Sequence, residues 1–358
     1  MDGEAIVYCQ GAFNTLNGKT AHGLVRFTNR YSVISVVDSK HAGGDAGEIL
    51  DGKTNGIRLY GSVPEAVDAA RKSGRNPSHF VIGIAPDGGA MSDAIKADIK
   101  LAIRSGLNVD SGLHDFLSED HDILRLAVLN KVQIRDIRKP PDRKQLHFFT
   151  GNISRVNCLK IVVLGTDSAV GKRTTAWLLV RMLRERKIKA EMIGTGQTAW
   201  MQGARYGIVL DSVVNDFLTG EIEHVVCRCW EQEHPDVMII EGQGSLLNPA
   251  YPGGYELIAA SRPDAIILQH APSRKEYDGF PGFPIEPLEQ QVRALEIISG
   301  KKVLAVTLNH EDLEKKDLPS VRARILNETG LKSFDLLWEN ADELAEMVFG
   351  LLPVKINP

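Results

Sequence analysis

Residues 159–176 read LKIVVLGTDSAVGKRTTA, and this stretch decides the fold of the second half of the chain. Positions 159–164 form an apolar run of the kind found in buried strands. After Gly171 and Lys172 the apolar residues recur at helical spacing, at Ala176, Leu179, Val180 and Leu183. Loop N–H groups and the positive end of the helix dipole would then point at one place, where Lys172 adds a full charge. The stretch therefore predicts a phosphate-binding loop.

We name residues 165–175 the phosphate loop and predict that all of them help to hold a phosphate-bearing ligand: Gly165, Thr166, Asp167, Ser168, Ala169, Val170, Gly171, Lys172, Arg173, Thr174 and Thr175. Two positions depart from the usual GxxxxGK[ST]. Thr166 replaces the first Gly, and Arg173 replaces the Ser or Thr that ligates Mg²⁺ in nucleotide triphosphatases. A guanidinium there could instead neutralise phosphate without a metal ion, because its donors match phosphate oxygens. We therefore expect no metal in this site.

Composition narrows the class of protein. A chain of 358 residues favours two domains. The net charge of −4 and the pI near 6.2 argue against nucleic acid as a partner, because no basic excess exists to neutralise phosphates. No apolar run approaches 18 residues, and no leader pattern stands at the N-terminus. We expect a cytoplasmic protein that binds small molecules and has no membrane partner. It could form a homo-oligomer.

Four cysteines stand at Cys9, Cys158, Cys227 and Cys229. The last two form CRC rather than CxxC, and further soft ligands at metal spacing are missing around them. The sequence therefore predicts thiols without a metal role.

Strand and helix patterns alternate in both halves, which predicts two α/β domains with parallel sheets. The first half has strands at 5–9, 32–38, 79–85, 107–111 and 132–137 and helices at 64–73 and 91–105. The second half has strands at 159–164, 189–193, 236–241, 264–269 and 302–308 and a helix at 287–299. Pro140 and Pro141 interrupt the pattern. We predict a Rossmann-like domain at 1–150 and a domain similar to P-loop nucleotide triphosphatases at 151–358.

The first domain carries Asp38 at a strand end, where dinucleotide folds place an acid that binds ribose. Its glycines do not form GxGxxG, so nicotinamide binding is not expected.

Ligands of open parallel sheets bind at the carboxyl ends of the strands. In the second domain these ends carry GTGQT (194–198), EGQGS (241–245), HAPSRK (270–275) and NHED (309–312). Glu241 and His270 are candidate proton acceptors, although Glu241 could instead cap loop amides. Asn309 stands where related folds hold an Asn-x-x-Asp reader of the base, so it is a candidate for contact with adenine.

Two cationic sets could bind substrate carboxylates. Arg274 and Lys275 lie in the proline-rich segment 270–287, which is either a lid or a stiffened surface loop. Lys19, His22 and Arg26 have helical spacing and would share one face, which could equally be an ordinary solvated surface.

Longer motifs carry a family resemblance. GTDSAVGK (165–172) and VMIIEGQGSLLNP (237–249) resemble stretches of dethiobiotin synthetase. Across essentially the whole chain, the sequence resembles the DgcN family of D-glutamate N-acetyltransferases, long catalogued as a domain of unknown function. The motifs that carry this resemblance are NTLNGKTAHGLVRF (14–27), VVDSKHAGG (36–44), VIGIAPDGG (81–89), GLHDFL (112–117) and AVTLNHEDL (305–313), together with the phosphate loop.

The resemblance implies acetyl transfer from acetyl-CoA to the amine of an acidic amino acid such as D-glutamate, within D-amino acid metabolism. On this hypothesis the phosphate loop holds the pyrophosphate or the 3′-phosphate of acetyl-CoA. Glu241 or His270 removes the amine proton, and amides of EGQGS stabilise the oxyanion.

Two alternatives stay open. One is an ATP-dependent ligase or kinase similar to dethiobiotin synthetase, which would need Mg²⁺. The other is a nucleotide-binding sensor without turnover.

Overall fold

The computed structural model describes residues 1–85, 91–339 and 342–352. The chain divides into two compact units at Pro140 and Pro141. The first unit is Met1–Pro140 together with Gln197–Ala204, and the second is Pro141–Gly196 together with the chain from Arg205 onward. The prediction ended the first domain at residue 150 and assigned all of 151–358 to the second. In the structure, the short segment Gln197–Ala204 packs with the first unit.

The first unit is built on a six-stranded parallel sheet of order β3-β2-β1-β4-β5-β6. Its strands are β1 Gly3–Tyr8, β2 Tyr31–Val37, β3 Arg58–Tyr60, β4 Pro77–Ile82, β5 Asn108–Ser111 and β6 Ile134–Asp136. Its helices are α1 Lys19–Arg26, α2 Ala46–Asp51, α3 Val63–Lys72, α4 Asp93–Arg104 and α5 His121–Asn130, and a short 3-10 helix spans Ser39–His41.

The five strands predicted in this half correspond to β1, β2, β4, β5 and β6. β3 was missed because three residues are too few to display an alternating pattern. Helices α3 and α4 begin after Ser62 and Ser92, whose hydroxyls accept the N–H groups of Glu65 and Ile95. Positions 86–89 of the VIGIAPDGG motif lie outside the described residues.

The second unit is built on a seven-stranded sheet of order β13-β12-β11-β7-β10-β8-β9, also parallel. Its strands are β7 Leu159–Gly165, β8 Ala190–Gly194, β9 Tyr206–Gly207, β10 Val237–Glu241, β11 Ala265–His270, β12 Val303–Leu308 and β13 Ser333–Phe334. The helices in this part of the chain are α6 Lys172–Glu185, α7 Gln197–Met201, α8 Asn215–Glu233, α9 Tyr255–Ser261, α10 Leu288–Ser299, α11 Leu318–Thr329 and α12 Asp342–Phe349. Of these, α7 belongs to the first unit.

The central position of β7 and β10 in this sheet explains why their sequences are apolar. β7 lies between β11 and β10, and all residues of β7 and β10 are buried. Parallel strands covered on both faces read as continuous hydrophobic sequence. The two α/β domains with parallel sheets that the sequence predicts are thereby confirmed. Within the described residues, none of the helices has the length and apolar character needed to span a bilayer.

Helix α8 packs closely on the chain that enters the second unit. An added Cβ at Gly220 would lie 2.0 Å from the carbonyl oxygen of His147. On the same helix Glu221 accepts the N–H of His147, and the buried Glu223 accepts those of Thr150 and Ile153. Gly220 is therefore required for close approach.

We predict that Gly220→Ala lowers the free energy of unfolding of the second unit by up to about 2 kcal/mol. Overpacking costs about 1–3 kcal/mol, and the helix propensity that Ala gains over Gly offsets about 1 kcal/mol of this cost. Thermal melting would measure it. Gly350→Ala is the control, because an added Cβ there makes only ordinary contacts at 3.6 Å. Equal melting temperatures of the two variants would contradict the packing argument.

Candidate functional site

The phosphate loop connects β7 to α6 and has an unusual backbone. Ala169 and Gly171 both adopt positive φ angles, 52° and 105°. Glycine tolerates this region, whereas alanine is strained there. Strain in a loop at the N-terminus of a buried helix is typical of binding sites.

Lys172 is the first residue of α6, and its ammonium lies folded over the loop. Its Nζ donates to the carbonyl oxygens of Asp167 at 2.7 Å and Gly244 at 2.8 Å. An added Cβ at Gly165 would lie 3.0 Å from this Nζ, so the first glycine of the loop leaves room for the lysine. The side chain is only 7% exposed. The loop therefore presents a desolvated, positioned cation at a helix N-terminus.

Gln269, near the end of β11, ties the loop to the sheet. Its Oε1 accepts the hydroxyls of Thr175 and Thr307, both at 2.5 Å, and its Nε2 donates to the carbonyl oxygen of Val170 at 3.0 Å. Its main-chain oxygen accepts the N–H of Thr166. Sequence reasoning missed this residue. The available signal was a single amide inside the apolar strand AIILQH.

Asp167 and Arg274 form a buried ion pair within the second unit. The guanidinium donates to Asp167 Oδ2 and to the carbonyl oxygen of Ser168, both at 2.9 Å, and reaches Glu311 Oε2 at 2.6 Å. Burial alone would lower the pKa of Arg274, but these two carboxylates raise it. Arg274 fastens the segment after β11 to the phosphate loop, because a buried guanidinium needs anionic partners. Substrate contact of Arg274 and Lys275 stays a prediction.

The rest of the segment 270–287 folds back on itself. The N–H of Tyr277 bonds to the carbonyl oxygen of Phe283, and the carbonyl oxygen of Lys275 accepts from Ile285. Tyr277 is buried and its hydroxyl bonds to Glu286, whereas Phe283 is 54% exposed. Lys275 is exposed at the start of this turn.

Glu241 ends β10 and lies at the same edge of the sheet as the loop. Its carboxylate is buried and accepts the N–H of Thr195 at 2.8 Å. Burial raises the pKa of Glu241, while the charges of Arg173 and Lys172 and the bond from Thr195 oppose that rise. Glu241, Lys172 and Arg173 therefore form one electrostatic group around the loop.

His270 ends β11 and is poorly suited to accept a proton. Burial, assisted by the charge of Arg324, lowers the pKa of His270 to about 4. Its Nδ1 lies 3.0 Å from the hydroxyl of Thr166. A base this weak retains little driving force for proton transfer at neutral pH. In the structure His270 therefore helps to orient the loop, and its catalytic role stays a prediction.

Asn309 follows β12 next to His270, whose carbonyl oxygen accepts the N–H of Asn309 at 2.8 Å. The side-chain oxygen of Asn309 accepts the N–H of Glu311 at 3.0 Å. It therefore closes the NHED turn that positions Glu311 against Arg274. Contact between Asn309 and adenine stays a prediction.

The cationic face predicted in the first unit is indeed helical, on α1. Arg26 forms a bidentate ion pair with Asp51, and a ring nitrogen of His22 bonds to the carbonyl oxygen of Phe13. Lys19 is exposed at the start of the helix. Arg26 and His22 thus have partners within the chain. Contact of Lys19, His22 and Arg26 with a dicarboxylate stays a prediction.

The described part of the chain contains no cluster of three or more His, Cys, Asp or Glu arranged to hold a metal ion. The thiols are buried or half-buried, and burial raises the pKa of Cys158 to about 12 and that of Cys227 to about 11. They are therefore protonated at neutral pH, and a protonated thiol is a weak nucleophile.

We predict that Lys172→Ala weakens binding of acetyl-CoA or ATP roughly ten- to a hundredfold, because one charge-assisted hydrogen bond contributes about 1.5–3 kcal/mol. Calorimetry would measure the affinities. The control is Lys302→Ala. Lys302 is 88% exposed and directly precedes β12, so it lies at the amino ends of the strands, whereas the phosphate loop lies at their carboxyl ends. Unchanged affinity for both ligands would remove the phosphate loop from the binding site.

Known proteins resemble the chain over both units. The family model for a P-loop domain of unknown function, DUF1611, matches residues 147–345, and that for its N-terminal Rossmann-like domain matches 39–140. A D-glutamate N-acetyltransferase from Pseudoalteromonas sp is 29% identical over 272 residues, which cover 74% of this chain and 79% of that protein. The D-glutamate N-acetyltransferase from Tritonibacter scottomollicae is also 29% identical, over 75% of this chain and 80% of its own.

A crystal structure of a DUF1611 family protein from Anabaena variabilis superposes with a TM-score of 0.89 at 29% identity. The match covers 97% of this chain and 99% of that one. The fold is thus a Rossmann-like domain followed by a P-loop domain, as predicted.

Proposed function

We propose that this chain, which belongs to the DUF1611 family, is an N-acetyltransferase that moves the acetyl group of acetyl-CoA to the amine of an acidic amino acid such as D-glutamate. The relatives at 29% identity bear this activity in their names. The structural observation that carries the proposal is the cationic phosphate loop, in which Arg173 stands at the usual position of the Mg²⁺ ligand.

The positive charge of the phosphate loop matches the phosphate groups of coenzyme A. This molecule carries a pyrophosphate and a 3′-phosphate at one end and its thioester at the far end of the pantetheine arm. Lys172 and Arg173 supply two positive charges at the N-terminus of α6, and both affect the pKa of Glu241, so both lie near one point. Anionic phosphate oxygens are the natural partners of this pair.

The acidic amino acid needs cations of its own. Lys275 in the second unit is exposed and is our candidate for one of its carboxylates. Arg274 is less suitable, because substrate would have to replace the carboxylate partners that it already has.

Acetyl transfer requires a neutral amine and donors for the tetrahedral oxyanion. If the loop holds the phosphates, the thioester lies a full pantetheine arm away from Lys172. Glu241 and the main chain of Gly244, which bonds to Lys172, then belong to the phosphate end of the ligand. We therefore revise the predicted roles of Glu241 as the general base and of EGQGS as the oxyanion site, and propose that Glu241 balances the charge of the loop.

We expect Glu241→Gln to keep kcat within about tenfold of wild type and to lower the KM for acetyl-CoA, because it removes a negative charge beside the phosphates. Loss of a general base would instead lower kcat about 10²–10⁴-fold, with recovery at high pH. Release of free thiol with D-glutamate as acceptor would measure both constants. A large fall in kcat that high pH repairs would restore Glu241 as the base.

The ligase or kinase alternative is favoured by one observation, the carboxylate of Glu241 at the end of the strand beside the loop. Metal-dependent phosphate-loop enzymes place an acid there to hold Mg²⁺. Arg173 opposes this alternative, because its charge lies close to the same carboxylate.

A chelator separates the two functions. We expect acetylation of D-glutamate to continue unchanged in EDTA, since Arg173 replaces the hydroxyl that would ligate Mg²⁺. Thiol release and phosphate release would be followed in parallel, with acetyl-CoA in one reaction and ATP with Mg²⁺ in the other. Phosphate release that EDTA stops and Mg²⁺ restores, without thiol release, would favour the ligase.

A further inference from the structure

The side-chain amide of Gln269, near the end of β11, has an orientation that its neighbours fix. The residue is 2% exposed. Its Oε1 accepts the hydroxyls of Thr175 and Thr307, and its Nε2 donates to the carbonyl oxygen of Val170 at 3.0 Å. A carbonyl oxygen only accepts hydrogen bonds, so Val170 has to face the NH₂ end of the amide. The amide therefore has one satisfied orientation, with its donor directed at the phosphate loop.

The bond to Val170 also determines where the next N–H group of the loop points. The peptide bond between Val170 and Gly171 is trans, and the C=O and N–H groups of a planar trans peptide point in opposite directions. The oxygen of this peptide points at Gln269. An added Cβ at Gly171 would lie 3.6 Å from Gln269 Nε2, so the amide lies close against this glycine. The N–H of Gly171 therefore points away from Gln269.

This N–H group belongs to the set of donors at the N-terminus of α6. The helix begins at Lys172, and the first N–H groups of a helix have no acceptor within it. They point out of the helix toward the loop, over which the ammonium of Lys172 lies. Gly171 is the N-cap of α6, and its carbonyl oxygen accepts the N–H of Thr175 at 3.0 Å. The carbonyl groups of Val170 and Gly171 are thus both bonded within the protein, which leaves the N–H groups to face an anion.

Gln269 holds the loop at two places. Its main-chain oxygen accepts the N–H of Thr166 at 2.9 Å, at the start of the loop. Its side chain holds the carbonyl group of Val170, near the end of the loop, and the hydroxyl of Thr175 in the first turn of α6. A substitution of Gln269 keeps the main-chain bond, so it removes only the contacts that the side chain makes.

We propose that Gln269 is the positioning residue of the phosphate loop and directs the N–H of Gly171 at a phosphate of the ligand; this inference rests on the phosphate binding in the proposed function. The ligand class is a pyrophosphate ester such as coenzyme A. Gln269 acts through the peptide between Val170 and Gly171, without contact with the ligand. A neutral amide suits this position. A carboxylate accepts from both threonines but cannot donate to Val170, and its charge would repel an anionic ligand.

The test measures the affinities of the full chain for CoA and for inorganic pyrophosphate by calorimetry. Gln269→Met keeps the length of the side chain but donates no hydrogen bond, so the N–H of Gly171 is no longer held in place. We expect both affinities to fall about ten- to a hundredfold, as for the loss of one hydrogen bond to a charged group. The matched control is Gln202→Met. Gln202 is also a buried amide, and its Nε2 donates to the carbonyl oxygens of Gly23 and Phe27 in the first unit. This control should melt at a lower temperature but keep wild-type affinities.

Gln269→Glu separates positioning from stability through pH. The ionised carboxylate cannot donate to Val170, whereas the protonated acid donates through its O–H group. We expect the affinity of this variant for pyrophosphate, relative to that of wild type at the same pH, to be lowest above neutral pH and to rise as the pH falls. Melting curves would verify that each variant is folded under the conditions of the titration. A residue that only stabilises the fold would change the melting temperature and leave this ratio of affinities constant.

A second measurement uses wild type alone. Amide NMR would follow the N–H of Gly171 as pyrophosphate is added, and we expect its proton resonance to move downfield as the hydrogen bond forms. An unchanged resonance at saturating pyrophosphate, or wild-type affinities in both Gln269 variants, would overturn the role of Gln269. Wild type that binds both ligands but acetylates no D-glutamate would refute the proposed function and keep this role. Wild type that binds neither ligand would refute phosphate binding by the loop, and with it the inference.

Discussion

The second unit depends on one constraint, a lysine ammonium held over a turn of main chain. Lys172 Nζ needs the carbonyl oxygens of Asp167 and Gly244 in place at once, and these come from loops after the two adjacent strands β7 and β10. The arrangement also requires backbone that other residues would not tolerate. An added Cβ at Gly244 would lie 1.9 Å from the carbonyl oxygen of Tyr251, at a φ of 51°. Sheet order, loop shape and cation position are therefore linked.

Buried charges explain where the neighbouring segments lie. Asp167 has no solvent exposure, and its carboxylate accepts four hydrogen bonds, among them one from Arg274. Removing either partner would leave an uncompensated buried charge, which typically costs 3–5 kcal/mol. The segment after β11 is consequently held to the phosphate loop by the residue that sequence reasoning assigned to substrate. The residue type of Arg274 predicted its charge, but it did not predict which group would pair with that charge.

The sequence predicted what local pattern encodes. Apolar runs identified the central strands, and the Gly-Lys pair identified the loop, because both signals lie within a few consecutive residues. The network of Gln269 and the pairing of Asp38 with His41 depend on tertiary contacts or on burial that no spacing rule reports. For the same reason the sequence did not predict that Gln197–Ala204 packs with the first unit. Trp200 in this segment stacks under the guanidinium of Arg30 at 3.7 Å, a contact between residues far apart in sequence.

Electrostatics gives a reason to separate phosphate binding from proton transfer. A phosphate site concentrates positive charge, and positive charge makes any nearby base weaker, as the opposing effects of Arg173 and Lys172 on the pKa of Glu241 illustrate. A base for an ammonium needs the opposite environment, an anion beside it that stabilises its protonated form.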